Sequence, residues 1–208
     1  MKKLVALIGL LLVLTTVAAA QEKNEQGREA KREASQNRDK SGRLKVEAGQ
    51  RYLVLETVKT STMQKELDEA AALGFRIVFG SPTTTAEMAL LLERTPDAVG
   101  AYEYRLLATT RTGTMQKEIN DIAREGFRLL PRTIISKEQL FGPREVILLM
   151  ERAPKSDRRY EYRLFSTEST SKLQREVAEA EADGYVVTGM VTREKHMVIL
   201  EKETRGRE

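Results

Sequence analysis

From residue 52 onward, the hydrophobic pattern switches between two periods three times. In the middle stretch, Tyr102, Tyr104 and Leu106 alternate with Glu103, Arg105 and Leu107. A period of two puts these sets on opposite faces of a strand over Tyr102–Thr109. The period then lengthens. Met115, Ile119, Ile122 and Ala123 recur at helical spacing, as do Met63, Leu67, Ala70 and Ala71. Ser61 and Ser171 stand three residues before Gln64 and Gln174, the spacing of a capping box, and Gly113 takes the cap place in between. Gly74, Gly126 and Gly184 mark helix ends. Short second strands are expected at Arg76–Phe79, Arg128–Leu130 and Val186–Val191, followed by a turn that is longest over Arg132–Arg144. A closing strand starts at Met88, Val146 and Met197. Its unbroken apolar run (Leu148, Leu149, Met150) predicts a central position buried on both faces.

These stretches are copies of one another. The blocks starting at Tyr52, Tyr104 and Tyr162 align without a gap through Gly74-Phe75, Gly126-Phe127 and Gly184-Tyr185. The fold class is therefore α+β, with three tandem β-α-β-β units over residues 49–97, 101–155 and 159–204. Each unit is expected to be a small antiparallel or mixed three-stranded sheet with one helix. A lone unit of about 50 residues without disulfides is marginal, so the three should fuse into one body. One helix covers one face of a sheet, and the other face is expected to meet the sheet of another unit.

The residues Tyr102-Glu103-Tyr104-Arg105, Tyr160-Glu161-Tyr162-Arg163, the three Gly-aromatic pairs and the strand ends Glu93-Arg94, Glu151-Arg152 and Glu201-Lys202 carry a resemblance. They resemble a small bacterial family of unassigned function, domain-of-unknown-function family 4177. That pattern runs Tyr-x-Tyr-basic, amphipathic helix, Gly-Trp-Glu and a closing strand with a basic end. The chain departs from it in lacking the tryptophan, in having Phe127-Arg128 where the family has Trp-Glu, and in its first opening strand, Arg51-Tyr52-Leu53. The resemblance covers about residues 51–203 and implies the β-α-β-β fold but no activity.

Residues 1–20 have a different character. Lys2 and Lys3 precede an apolar run from Leu4 to Leu14, and the small residues Ala18-Ala19-Ala20 follow. This order predicts a signal peptide cut before Gln21, the alternative being a short uncleaved anchor. Export to the periplasm or outside the cell is the expected address. No second apolar run approaches membrane length, so no stable membrane insertion is expected after cleavage. Residues 21–48 read as a charged spacer. Over 21–43, 12 of 23 residues are charged and none is aromatic or a large aliphatic, too little apolar surface to offset ordering entropy. A solvent-exposed helix over Glu29–Ser35 is the alternative.

Composition narrows the chemistry. With no cysteine, disulfides, thiolate catalysis, cysteine–metal sites and lipidation at cysteine are excluded. Without Lys2 and Lys3 the chain has 33 basic and 31 acidic side chains, interspersed, which is no nucleic-acid footprint. His196 is the only histidine and reads as a surface strand residue. There is no Gly-x-Ser-x-Gly elbow and no glycine-rich phosphate loop. Glu93, Glu151 and Glu201 recur at one place, each before a basic residue, and read as exposed edge charges. No catalytic residue, metal ligand or cofactor site is assigned.

The candidate binding residues are Tyr102, Tyr104, Arg105, Tyr160, Tyr162 and Arg163, because tyrosine and arginine anchor many interfaces. The competing expectation puts these tyrosines on the helix-facing or inter-unit side, with arginine pairing across the sheet. Leu140 and Phe141, in the longest turn, are candidates for a partner contact. The expected function is a non-catalytic binding or scaffold protein of the cell envelope, its partner an envelope protein or a small ligand. The alternatives are a small-ligand binding protein with a cleft between units, or a carboxylate-dependent hydrolase of envelope polymers.

Overall fold

The structure, a computed structural model, describes residues 38, 42–57, 59–83, 88–95, 99–137, 144–192 and 194–204. The signal-peptide segment, most of the spacer and the tip bearing Leu140 and Phe141 lie outside the described residues. Residues 1–45 and 46–208 form two compact units. In the first, Arg38 and Leu44 make an isolated antiparallel bridge.

The second holds the three repeats. The first comprises β1 (Tyr52–Thr57), α1 (Thr60–Ala72), β2 (Phe75–Pro82) and β3 (Met88–Arg94). The second comprises β4 (Glu103–Thr109), α2 (Thr112–Arg124), β5 (Arg128–Leu129), a 3-10 turn (Pro131–Thr133), β6 (Ile135–Lys137) and β7 (Glu145–Arg152). The third comprises β8 (Arg159–Thr167), α3 (Thr170–Ala182), β9 (Val186–Thr192) and β10 (His196–Thr204). The closing strand is central in every sheet, and every pairing is antiparallel.

Part of the long turn expected over Arg132–Arg144 is thus ordered as β6. At the same place β2 and β9 each shift register against their closing strand, between Ile77 and Phe79 and beside Gly189. The second strand bends at this point in all three repeats, and in the second it breaks in two.

The helices begin before the serines expected to cap them. Their N-caps are Lys59, Arg111 and Ser169, and only Ser169 caps with its side chain, accepting from Lys172 N–H. Ser61, Gly113 and Ser171 are already helical. The glutamines are thereby released from the capping box for another task.

What each sheet buries on its second face also differs from expectation. Val146, Leu148 and Met150 face α2, and Ile147 and Leu149 on the opposite face are equally buried. That opposite face meets the helix of the preceding repeat rather than a sheet. Helix α2 shows why. Met115, Ile119 and Ala123 belong to one core cluster with Leu107, Val146 and Leu148 of its own repeat and with Tyr162, Leu164, Met197 and Ile199 of the next. Helices α1 and α2 each serve two sheets, their own and that of the next repeat, and repeats stack as sheet, helix, sheet, helix. The second strand of the first repeat also touches the 3-10 turn and β6 of the second: a Cβ on Gly80 would stand 3.1 Å from Thr133 Cα and 3.3 Å from Ile135 Cδ1.

Candidate functional site

The recurring polar residues meet at the two joints between repeats. In the first joint the Gln64 amide, on α1, closes a two-bond clamp on β4. Its Nε2 donates to Tyr104 O at 3.0 Å, and Leu106 N–H donates to its Oε1 at 2.9 Å. In the second, Gln116 of α2 does the same to β8: Nε2 donates to Tyr162 O at 2.6 Å and Leu164 N–H donates to Oε1 at 2.7 Å. Asn120 reinforces this joint by donating to Tyr162 O and accepting from Tyr162 N–H, at 2.9 and 2.8 Å. Opening strands are edge strands with unpaired backbone groups, and the glutamine satisfies them.

A second set ties the joint at its other end. Arg76 follows the Gly-aromatic pair of the first repeat and forks onto Glu151 of the second, at 2.9 and 2.7 Å. Tyr104 hydroxyl donates to Glu151 at 3.0 Å and accepts from Ile77 N–H at 3.3 Å. Arg128, Glu201, Tyr162 and Leu129 N–H repeat this between the second and third repeats, with Tyr162 hydroxyl 2.7 Å from Glu201 and 2.8 Å from Leu129 N. Arg76 stacks over Tyr102 and Arg128 over Tyr160, at 4.5 and 5.2 Å.

Glu151 and Glu201 are therefore not the exposed edge charges expected. They are 7 % and 8 % exposed, and each is bound by a forked arginine and a phenol. The first copy, Glu93, is half-buried and bound to Arg51. Burial beside a carboxylate raises both Tyr104 and Tyr162 far above the usual phenol value. The bond to Glu151 likewise raises Arg76, against the opposing effect of burial.

The structure brings Tyr102, Tyr104, Tyr160 and Tyr162 into the joints, with Tyr104 and Tyr162 almost fully buried. Arg105 and Arg163 go elsewhere. They cover the ring after the helix-ending glycine of their own repeat, Arg105 over Phe127 at 5.0 Å and Arg163 over Tyr185 at 4.2 Å. Sequence reasoning assigned Gln64 to a capping box and passed over Gln116. Their signal was an identical Met-Gln-Lys-Glu in the first two helices, more than capping alone requires.

An open cleft of about 520 Å³ lies where the second and third repeats meet, lined by Thr110, Thr112, Ser166, Glu176, Glu194 and Lys195 among others. A groove of about 490 Å³ lies between α3 and the β9–β10 ribbon, with Gln174, Val187, Met190 and His196 on its walls. His196 is half-buried, its Nδ1 3.3 Å from Thr192 Oγ1. Among the described residues no three His, Asp or Glu side chains group as metal ligands, and no helix is long and apolar enough to cross a membrane. Comparison with family models, curated proteins and solved structures finds no match.

Proposed function

We propose that the chain is an exported, non-catalytic binding or scaffold protein of the cell envelope, a body of stacked repeats with its apolar end face free for a partner. The supporting observation is that face itself. Val187 and Met190 are 44 % and 57 % exposed on the wall of the α3 groove, an apolar surface of the kind that marks an interaction site. The recurring Gln, Tyr, Arg and Glu side chains, by contrast, are committed to holding repeats together. The resemblance to a family without assigned activity agrees with this reading.

The test pairs an assay for turnover with one for location. Fractionation of the native host should find a chain starting at Gln21 outside the cytoplasm. The purified protein should leave isolated envelope polymers chemically unchanged. Turnover that Glu176→Gln or Glu194→Gln abolishes would make the protein a hydrolase instead. The cleft beside those carboxylates supports a second reading, a small polar ligand held between repeats, which calorimetry against envelope metabolites would detect as a binding heat lost with Lys195→Ala.

A further inference from the structure

The stack has two unfinished ends, and they are complementary. The repeat alignment places Gln174 of α3 where Gln64 and Gln116 clamp the next strand. Among the described residues, the Gln174 side chain has no hydrogen-bond partner and is exposed on the wall of the groove. Val187 occupies the place of Ile77 and Leu129, which the following repeat covers to 7 % and 1 % exposure, yet it is 44 % exposed. At the other end, among the described residues, no helix clamps the edge strand β1. Val54 stands where Leu106 and Leu164 donate to the glutamine. It is 53 % exposed, against 9 % for Leu164, and its N–H meets no side chain among the described residues.

We infer that copies of this chain join head to tail, β1 of one copy laid on α3 of the next, as β4 lies on α1 and β8 on α2. The inference rests on the binding-protein reading and names its partner: a second copy. Substitutions at the two ends compensate one another. The internal joints need an arginine from the preceding repeat, Arg76 or Arg128, to neutralise Glu151 or Glu201. The third repeat has Val186 at that position and supplies none. The first repeat needs none, because Arg51 bonds Glu93 at 2.9 Å and lies 5.0 Å over the Tyr52 ring. The joint between copies would thus contain the same tyrosine, carboxylate and arginine, the arginine coming from the accepting copy. Gln50 Nε2 already donates to Tyr52 O at 2.9 Å. This leaves room for Gln174, since Tyr162 O accepts from both Gln116 and Asn120.

A heterologous contact of this kind propagates into rings or filaments rather than stopping at two. Sedimentation analysis of the whole mature chain tests it, with Val54→Lys blocking the head and Val187→Lys blocking the tail. Both sites are exposed, so both variants should melt close to wild type. Wild type should form concentration-dependent species larger than a dimer, and each variant alone should be monomeric. Mixed, they should form dimers and nothing larger, because one unblocked head and one unblocked tail remain. Gln174→Ala, which removes only the clamp, should weaken association about tenfold. Wild type that stays monomeric at every concentration overturns the inference. So does dimerisation of Val54→Lys alone, which would mean tail-to-tail pairing, or of Val187→Lys alone, which would mean head-to-head pairing. A monomer that still binds the isolated envelope fraction, and loses that binding with Val187→Lys, refutes self-assembly while leaving the binding-protein reading intact.

Discussion

The hydroxyls of Tyr104 and Tyr162 each satisfy a backbone N–H in one repeat and a carboxylate in the next. Phenylalanine at either position would leave Leu129 or Ile77 with a buried unpaired donor, at a cost of about 1–3 kcal/mol. Both phenols are raised from the usual 10.0 by burial first and the glutamate second. Above pH 10 the unfolded chain releases these protons and the folded chain does not. The stabilisation is therefore complete below the ordinary phenol value and declines as pH rises past it. Urea midpoints measured from neutral pH upward should fall steeply beyond about pH 10. The Tyr104→Phe/Tyr162→Phe double variant should start lower and fall less steeply. Parallel curves for the two proteins would show that other groups control the alkaline loss. The backbone contributes at this scale too. Gly126 ends α2 at φ +94°, and a Cβ there would also stand 3.1 Å from Arg159 Nη1. Gly113 lies inside the first turn of α2 with open space around it. Gly126→Val should therefore lower the unfolding midpoint well beyond Gly113→Val, since a β-branched residue is strained in the left-handed region by about 1 kcal/mol or more. Equal midpoints would contradict this boundary.

A helix that packs on two sheets carries a pattern that sequence periodicity reads only in part. Met115 and Ile119 were legible as one apolar face, and the alternation in β4 and the apolar run in β7 placed those strands correctly. The second flank of α2 was not legible, because Gln116 and Asn120 are polar and the strand they bind belongs to the next repeat, about 45 positions on. The glutamines were assigned to capping because Ser61 and Ser171 stand at the right spacing for it. The helix instead starts two residues earlier, with its cap at Lys59 or Ser169, and tertiary contact outweighs the local signal. The same limit applies to Glu151 and Glu201: a charge at a strand end reads as exposed until the arginine of another repeat is placed over it. These differences predict how the three glutamines diverge. Gln116→Ala removes two bonds to a part-buried strand and should destabilise by about 1–3 kcal/mol. Gln174→Ala, at the same helix position with nothing to clamp, should leave the dilute monomer unchanged within about 0.5 kcal/mol. Chemical denaturation of both variants at low concentration decides it. An equal loss from both would mean the clamp adds nothing to the joint.

For the molecule as a whole, the third repeat is part of the core of the second. Of the fourteen buried residues in the core cluster around α2, five (Tyr160, Tyr162, Leu164, Met197 and Ile199) come from the third repeat. A repeat array owes its stability to intrinsic repeat terms plus nearest-neighbour interfaces. Here the interfaces hold ion pairs whose carboxylate is buried and whose arginine is half exposed, and a buried carboxylate that loses its partner is destabilising. The full chain should therefore unfold in a single cooperative transition despite its internal repetition. Truncation after Asp157 tests this. It removes Glu201 from Arg128, the strand from Gln116 and the cover from Met115, Ile119 and Leu129. The remaining two repeats should unfold at a markedly lower denaturant concentration than the full chain, and the Leu129 amide, now without the Tyr162 hydroxyl, should exchange its hydrogen much faster. In the full chain the Ile77 and Leu129 amides, each bonded to a tyrosine of the following repeat, should exchange only through global unfolding. Separate transitions for the repeats, or unchanged protection of Leu129 after truncation, would show that each repeat stands alone and that the joints are contacts between finished domains.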